Sequence, residues 1–306
     1  MKKILVTGAS GFIGAATARQ LLAEGYSVGL LLRKTSNIKR IEDILDCVTV
    51  IYGDMGSVEL SRDAIGEFSP DAIAHLAWSG VKGVDRNSPK QMENVFASVA
   101  LYRLAQEIGV RRFVGLGSQA EYGQYSRRID ESVQTKPTTT YGAAKLATYH
   151  LIDRMADVDG VSFAWLRVFS TYGPGDDPSW LIPYISMKLL AGERPALTSG
   201  EQIWDYLFVE DAAAAVVAVL NSDAHGAFNL GSGQAYSLRR IITNIRDLID
   251  PALELGFGEI PYRPDQVMHL EADISALVKS TGWKPVMPLE KGLSLTIESI
   301  KKWKAC

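Results

Sequence analysis

Tyr141 and Lys145 stand four residues apart in Thr138-Thr139-Thr140-Tyr141-Gly142-Ala143-Ala144-Lys145. If that segment is helical, the two side chains share one face. An ammonium beside a phenol favours the phenolate and lowers its pKa, so Tyr141 reads as a group able to exchange a proton near neutral pH. A Tyr–Lys pair at this spacing is common on helix surfaces. Its weight here comes from position: it opens a helical run that follows the apolar segment ending in Gly117-Ser118-Gln119-Ala120-Glu121-Tyr122-Gly123.

The elements that must hold these residues begin with Val6-Thr7-Gly8-Ala9-Ser10-Gly11-Phe12-Ile13-Gly14. An apolar run precedes it and a helix-like run, closed by Gly25, follows it. Gly8 permits a tight turn, Gly11 lets the backbone approach a pyrophosphate, and Gly14 lets helix and strand pack closely. The helix start then offers free N–H groups and a positive dipole end to phosphates. In this strand–turn–helix context the triplet is a dinucleotide-binding signature.

Short apolar runs alternate with helical ones through the first half of the chain, the pattern of parallel βαβ units. Strands are predicted at 4–7, 28–32, 48–52, 72–75, 113–116 and 163–167, with helices at 12–24, 57–67, 89–108 and 140–156. The strands are almost wholly apolar, as in a sheet covered on both faces, and such a sheet binds ligands at its carboxyl edge. Beyond residue 172 prolines and glycines become frequent; a helix at 210–220 and a strand at 228–230 return to the main sheet. The expected architecture is α/β, a Rossmann-type doubly wound parallel sheet with a smaller mixed α/β C-terminal substrate lobe. The dinucleotide-binding domain is read as 1–172 plus 206–231, and the substrate lobe as 173–205 plus 232–306.

The end of the second strand reads Leu30-Leu31-Leu32-Arg33-Lys34. A carboxylate usually meets the ribose hydroxyls of NAD at this place. Two cations there instead suit a 2′-phosphate, with Ser10, Thr35 and Ser36 able to add hydroxyls. NADP(H) is therefore favoured, and NAD(H) remains possible. Asp54, after the third strand, reads either as an adenine contact or as a helix cap.

The 306 residues, 47% hydrophobic and 22% charged with a net charge of −3, describe an ordinary globular chain. They give no reason to expect nucleic acid or a membrane as partner. Cys47 and Cys306 form no metal or disulfide pattern, which points to a reducing, cytoplasmic setting. No metal site is expected; His75 and the other histidines have no partner pattern.

Taken together the motifs resemble the extended short-chain dehydrogenase/reductase family, especially its nucleotide-sugar epimerases, dehydratases and reductases. The resemblance spans Thr7–Gly14, Gly53-Asp54, His75-Leu76-Ala77, Asn94, the Ser118 segment, Tyr141-x-x-x-Lys145, Arg167, Tyr172-Gly173-Pro174-Gly175, Asp205 to Asp211 and Phe228 to Gly233. It implies that Tyr141 exchanges the proton at the substrate oxygen, that Lys145 tunes Tyr141 and bonds the nicotinamide ribose, and that Ser118 bonds the same substrate oxygen. It also implies cofactor contacts from Gly8, Ser10, Gly11, Phe12, Ile13, Gly14, Arg33, Lys34, Asp54, Met55, Leu76, Ala77, Tyr141, Lys145 and Val168. The substrate would be a nucleoside-diphosphate sugar. By analogy, the helices at 89–108 and 140–156 would form a homodimer interface.

Family 4,6-dehydratases carry acidic residues where this chain has Gln119 and Ala120. Glu121 is displaced by one position, so elimination of water is disfavoured. Glu121-Tyr122-Gly123 matches the family's 4-ketoreductases, and Arg33-Lys34 suits a consumed NADPH. The sequence thus favours an NADPH-dependent 4-ketoreductase of a nucleotide 4-keto-6-deoxyhexose, with a 4-epimerase holding NAD or an NADPH reductase of small aldehydes or ketones as alternatives. A non-catalytic cofactor-binding regulator would predict a damaged set, and Ser118, Tyr141 and Lys145 are intact. Two positions depart from the family pattern: Ser170 stands in place of an Asn, and Trp204 in place of an Arg. Candidate substrate contacts are Trp78, Ser118, Gln119, Glu121, Tyr141, Ser170, Trp180, Leu181, Trp204 and Arg263.

Overall fold

A computed structural model describes residues 2–264 and 266–305. Seven strands form the main sheet: β1 (Lys3–Thr7), β2 (Ser27–Leu32), β3 (Thr49–Tyr52), β4 (Ala72–His75), β5 (Arg112–Ser118), β6 (Ser162–Val168) and β10 (Gly226–Leu230). All pair in parallel, in the order β10-β6-β5-β4-β1-β2-β3. The chain reverses its direction of travel between β1 and β4, which opens a crevice at their carboxyl ends.

Each face of the sheet carries its own apolar core. Helices α1 (Phe12–Ala23) and α6 (Val209–Leu220) cover one face through residues such as Ala18, Leu21, Ala212 and Val216. Helices α2 (Arg62–Phe68), α3 (Gln91–Glu107) and α4 (Thr140–Asp159) cover the other, through Ile65, Leu101, Leu104 and Ile152. Burial on both faces is the physical reason the strands read as unbroken apolar runs.

The smaller lobe is built on β7 (Ser170–Tyr172), β9 (Ile203–Phe208), β11 (Ala235–Ser237) and β13 (His269–Leu270), with the short pair β8 (Ala196–Leu197) and β12 (Gly256–Phe257) beside them. Helices α5 (Leu181–Leu190), α7 (Leu238–Ile249) and α9 (Leu289–Ala305) pack around Tyr172, Phe208, Ile241 and Leu293; α8 (Ser275–Thr281) returns to the large sheet through Leu277. Residues 170–172, read from sequence as part of the large lobe, pair with β9 in the small sheet. The predicted helix at 57–67 is a 3₁₀ stretch, Met55–Ser61, followed by the shorter α2. Ser57 has non-helical backbone angles at the break, and Asp54 caps the first turn by accepting from Gly56 N–H at 2.8 Å.

No helix among the described residues is long and apolar enough to cross a membrane.

Candidate active site

At the head of the crevice Gly8 has φ +75°, and a Cβ there would come within 2.6 Å of the Ala77 nitrogen. Gly14 lies so close under Gly8 that any side chain would strike its carbonyl. A Cβ on Gly11 would meet only the Gly8 oxygen, at 3.0 Å, and otherwise point into open space. Gly11 is also the N-cap of α1, with no side chain capping the turn. This is a cradle that a side chain would fill, with helix-start N–H groups left for an anion, and it fits a dinucleotide pyrophosphate. Leu76 and Ala77 close its other wall: their N–H groups donate to the Thr7 carbonyl at 3.2 Å and to Thr7 Oγ1 at 3.3 Å. Phe12 lines a cavity of about 760 Å³ with Arg19, Arg40, Pro174 and Trp303. Ser118, Tyr141 and Lys145 are absent from that lining.

Arg33, Lys34, Tyr52, Gly53 and Asp54 rim a second hollow of about 260 Å³ at the ends of β2 and β3. Both cations are exposed. Met55 is half-buried in the turn that Asp54 caps.

The catalytic candidates converge at the end of β5. Ser118 caps the 3₁₀ turn Gln119–Glu121: its Oγ accepts from Ala120 N–H at 3.2 Å, and Glu121 Oε1 accepts from Ser118 N–H at 2.9 Å. Helix α4 starts against this turn. Thr139 Oγ1 accepts from Gly142 N–H at 3.1 Å, and Gly142 approaches the Ala120 carbonyl too closely for any Cβ. Tyr141 is thereby held beside Ser118, whose hydroxyl lowers the Tyr141 pKa. Both are 8% exposed. Val168, paired with Ser118 across β5 and β6, lies at the same edge.

Lys145 is buried, 4% exposed. Its Nζ donates to the Leu116 carbonyl at 2.5 Å and lies 3.8 Å from the centre of the Trp78 ring. Burial pulls its pKa down to about 7, opposed by the nearby Glu121 carboxylate. Burial likewise raises the Tyr141 pKa, while the Ser118 hydroxyl and the Arg86 guanidinium pull it down. Arg86, absent from the candidates read in the sequence, is the cation whose charge lowers it here. His75 is held neutral: burial, with the Lys145 charge, takes its pKa to about 3. Its ring nitrogens meet Thr7 Oγ1 and Ser98 Oγ, each at 2.8 Å.

Glu121, expected as a substrate contact, is completely buried. Its oxygens receive Arg167 Nε at 2.7 Å, Trp165 Nε1 at 2.9 Å and Ser118 N–H. The 3₁₀ turn swings this side chain beneath the sheet edge, where it neutralises Arg167. Ser170 and Trp204, the two departures from the family pattern, bond one another: Trp204 Nε1 donates to Ser170 Oγ at 2.8 Å. The Trp204 ring packs against the cluster of Tyr122, Ile129, Phe169 and Leu270.

Trp78 meets the Tyr141 ring edge-on at 6.2 Å between centroids and donates to Gln91 Oε1 at 2.9 Å. Gln119 and Leu181 are half-buried and Trp180 is 44% exposed. Lys82 lies 5.2 Å from the Trp180 ring centre, forms an ion pair with Asp177 and donates to Ser179 Oγ at 3.2 Å. This joins the segment after β4 to the one before α5. Arg263 is exposed in the loop beyond β12, next to Tyr262, whose hydroxyl takes the Glu201 N–H at 3.0 Å. Among the described residues no three His, Cys, Asp or Glu side chains gather as a metal site would require.

The sequence profile of the NAD dependent epimerase/dehydratase family matches residues 4–231. The chain is 27% identical to a dTDP-glucose 4,6-dehydratase of Xanthomonas campestris pv. campestris, covering 96% of this chain and 92% of that protein. It is 28% identical to a UDP-glucose 4-epimerase of Mycolicibacterium smegmatis, over 97% of each. Among solved structures, UDP-glucose 4-epimerase from Thermotoga maritima superposes with a TM-score of 0.89 at 23% identity, covering 99% of both chains. The Thermus thermophilus UDP-glucose 4-epimerase in complex with NAD gives 0.86 at 25% identity, covering 98% of this chain and 99% of that one.

Proposed function

The chain belongs to the NAD dependent epimerase/dehydratase family, and we propose that within it the protein is a 4-epimerase of a nucleoside-diphosphate hexose. One observation carries this reading. The Ser118 and Tyr141 hydroxyls meet at the carboxyl edge of the sheet, while Glu121, the acid nearest to them in sequence, is locked beneath it by Arg167 and Trp165. Eliminating water from a sugar requires a free acid–base group beside the serine, and neither Gln119 nor Ala120 titrates. Proton exchange at a single sugar oxygen remains well served. The full-length similarity to a UDP-glucose 4-epimerase favours the same conclusion.

In this reading Tyr141 takes the proton from the sugar C4 hydroxyl and later returns it, and Ser118 holds that oxygen by a hydrogen bond. Lys145, with a pKa near 7, can change charge beside them. The cradle of Gly8, Ser10, Gly11, Ile13 and Gly14 would hold the pyrophosphate of a dinucleotide, and Asp54 and Met55 would flank its adenosine. When bound, the nicotinamide supplies hydride transfer at C4.

The NADPH-dependent 4-ketoreductase stays as a second reading because of Arg33 and Lys34. Both are exposed just after β2, and a 2′-phosphate would find charge-assisted donors there, with Asp54 on the far rim of the same hollow. We also propose a homodimer through α3 and α4, whose surfaces expose Met92, Phe96, Leu151 and Val158 at 49%, 69%, 48% and 72%. Phe96→Asp should then yield monomers on sedimentation; an unchanged mass would exclude this face.

The deciding experiment pairs two measurements: the dinucleotide released on denaturing the purified protein, and the sugar NMR spectrum after incubation with UDP- and dTDP-hexoses without added cofactor. We expect retained NAD and interconversion of C4 epimers. Tyr141→Phe should lower turnover by about 10²–10⁴-fold, the range for general acid–base groups, with sugar-nucleotide affinity little changed. No interconversion, together with stoichiometric NADPH consumption on a 4-keto sugar, would replace the epimerase by the reductase.

A further inference from the structure

Arg86 sits in the 3₁₀ turn Gly83–Asn87, between β4 and α3. Its guanidinium carbon lies 4.7 Å from the centre of the Tyr141 ring. It is half-buried, and among the described residues it makes no hydrogen bond and joins no ion pair. Other part-buried arginines have partners for their terminal N–H groups, although the buried Arg112 Nε has none. Arg167 is held by Glu121 and Tyr122, Arg112 donates to the Val219 and Ala224 carbonyls, and Arg19 grips Asp43.

The position of Arg86 is built. Gln91, 1% exposed, donates to the Gly80 carbonyl at 2.7 Å and to the Asp85 carbonyl at 2.9 Å, next to Arg86. Asn94 bonds both the N–H and the carbonyl of Ser79, at 2.9 and 3.1 Å. On the other side, Asn87 Oδ1 accepts from the Thr140 N–H at 3.1 Å. The turn is therefore tied at one end to α3 and at the other to the first residue of α4, one position before Tyr141.

A guanidinium lying over an aromatic face keeps its in-plane N–H donors free. Those donors form a fork that matches two oxygens of one carboxylate or phosphate. The sugar oxygen that exchanges a proton with Tyr141 must come within hydrogen-bond reach of its hydroxyl. An anion gripped by Arg86 must then be carried on that same sugar or on the phosphate attached to it.

We propose that Arg86, stacked on Tyr141 with its donors unpartnered, is a substrate-binding residue that grips an anionic oxygen group of the nucleotide sugar, either a sugar carboxylate or the proximal phosphate. The proposal rests on the nucleotide-sugar reading above. It makes Arg86 the element that fixes the sugar against Tyr141, and it places a determinant of substrate choice on the segment after β4.

The test compares wild type, Arg86→Gln and Arg86→Lys by calorimetry and by kcat/KM. The probes are glucose and glucuronate carried on whichever of UDP or dTDP the wild type binds. Arg86→Gln should weaken binding about 10- to 100-fold, the range for hydrogen bonds to charged groups, without lowering Tm. Arg86→Lys, which keeps the charge and loses the fork, should recover only part. A loss confined to glucuronate assigns the carboxylate; an equal loss for both sugars assigns the phosphate. Equal binding by wild type and Arg86→Gln overturns the proposal alone. A wild type that binds neither nucleotide sugar overturns the nucleotide-sugar reading as well, and the proposal with it.

Discussion

The floor and the roof of the cleft around Tyr141 each carry an arginine, and the two have opposite surroundings. Beneath, Arg167 is 4% exposed and shares Glu121 with Trp165 and Ser118, while Tyr122 links it onward to Asn229 at 2.7 Å. Above, the Gly83–Asn87 turn is fastened through backbone and amide groups, and its own arginine is left without an acid. The floor pairs its charges internally and so fixes where Ser118 stands. The roof is held by neutral hydrogen bonds and keeps its charge available. The same residue type is structural in one layer and ligand-seeking in the other, and hydrogen-bond accounting separates the two.

The strongest way to break this contrast is to strand the floor. Glu121→Gln keeps the shape and leaves Arg167 charged and unpaired in a buried site, a change that typically costs about 3–5 kcal/mol. Denaturant unfolding should show that loss, and adding Arg167→Met should recover much of it because the orphan charge is removed. A Glu121→Gln variant as stable as wild type would mean the floor is not a closed ion-pair layer.

A smaller effect should come from the roof, at Asp176 beside the Lys82–Asp177 clasp. Burial raises its pKa to about 7, above its value of about 3.9 in an unfolded chain. Its contribution to stability is therefore complete below about pH 4, where both states hold the proton; it declines as pH rises and is lost above about pH 7. Asp176→Asn does not titrate. The stability of this variant relative to wild type should rise between about pH 4 and 7 and then level off. A difference independent of pH would place the Asp176 carboxyl in solvent.

These contrasts were unevenly legible in the sequence. The glycine cradle and the β–α alternation are local patterns, and the strands lie within a residue or two of their predicted limits. Tyr141 meets Ser118 because a cap and a glycine, both visible in Thr139-Thr140-Tyr141-Gly142, set the start of α4. The direction of Glu121 was hidden, since one 3₁₀ turn decides whether it faces substrate or core. Arg86 lies in an irregular segment with no period to read, and its meaning depends on Gln91 and on the distant Thr140. The helices of the small lobe were obscured by the prolines between them, although Leu238, Ile241, Ile242, Ile245 and Ile249 follow the helical period of α7.

The bond between Trp204 and Ser170 has an evolutionary consequence. Replacing Ser170 by a residue with no acceptor strands the indole N–H, and replacing Trp204 removes both that donor and a wall of the cluster it packs against. The family's Asn would still offer that N–H an acceptor at position 170, whereas an Arg at 204 would remove a wall of the cluster.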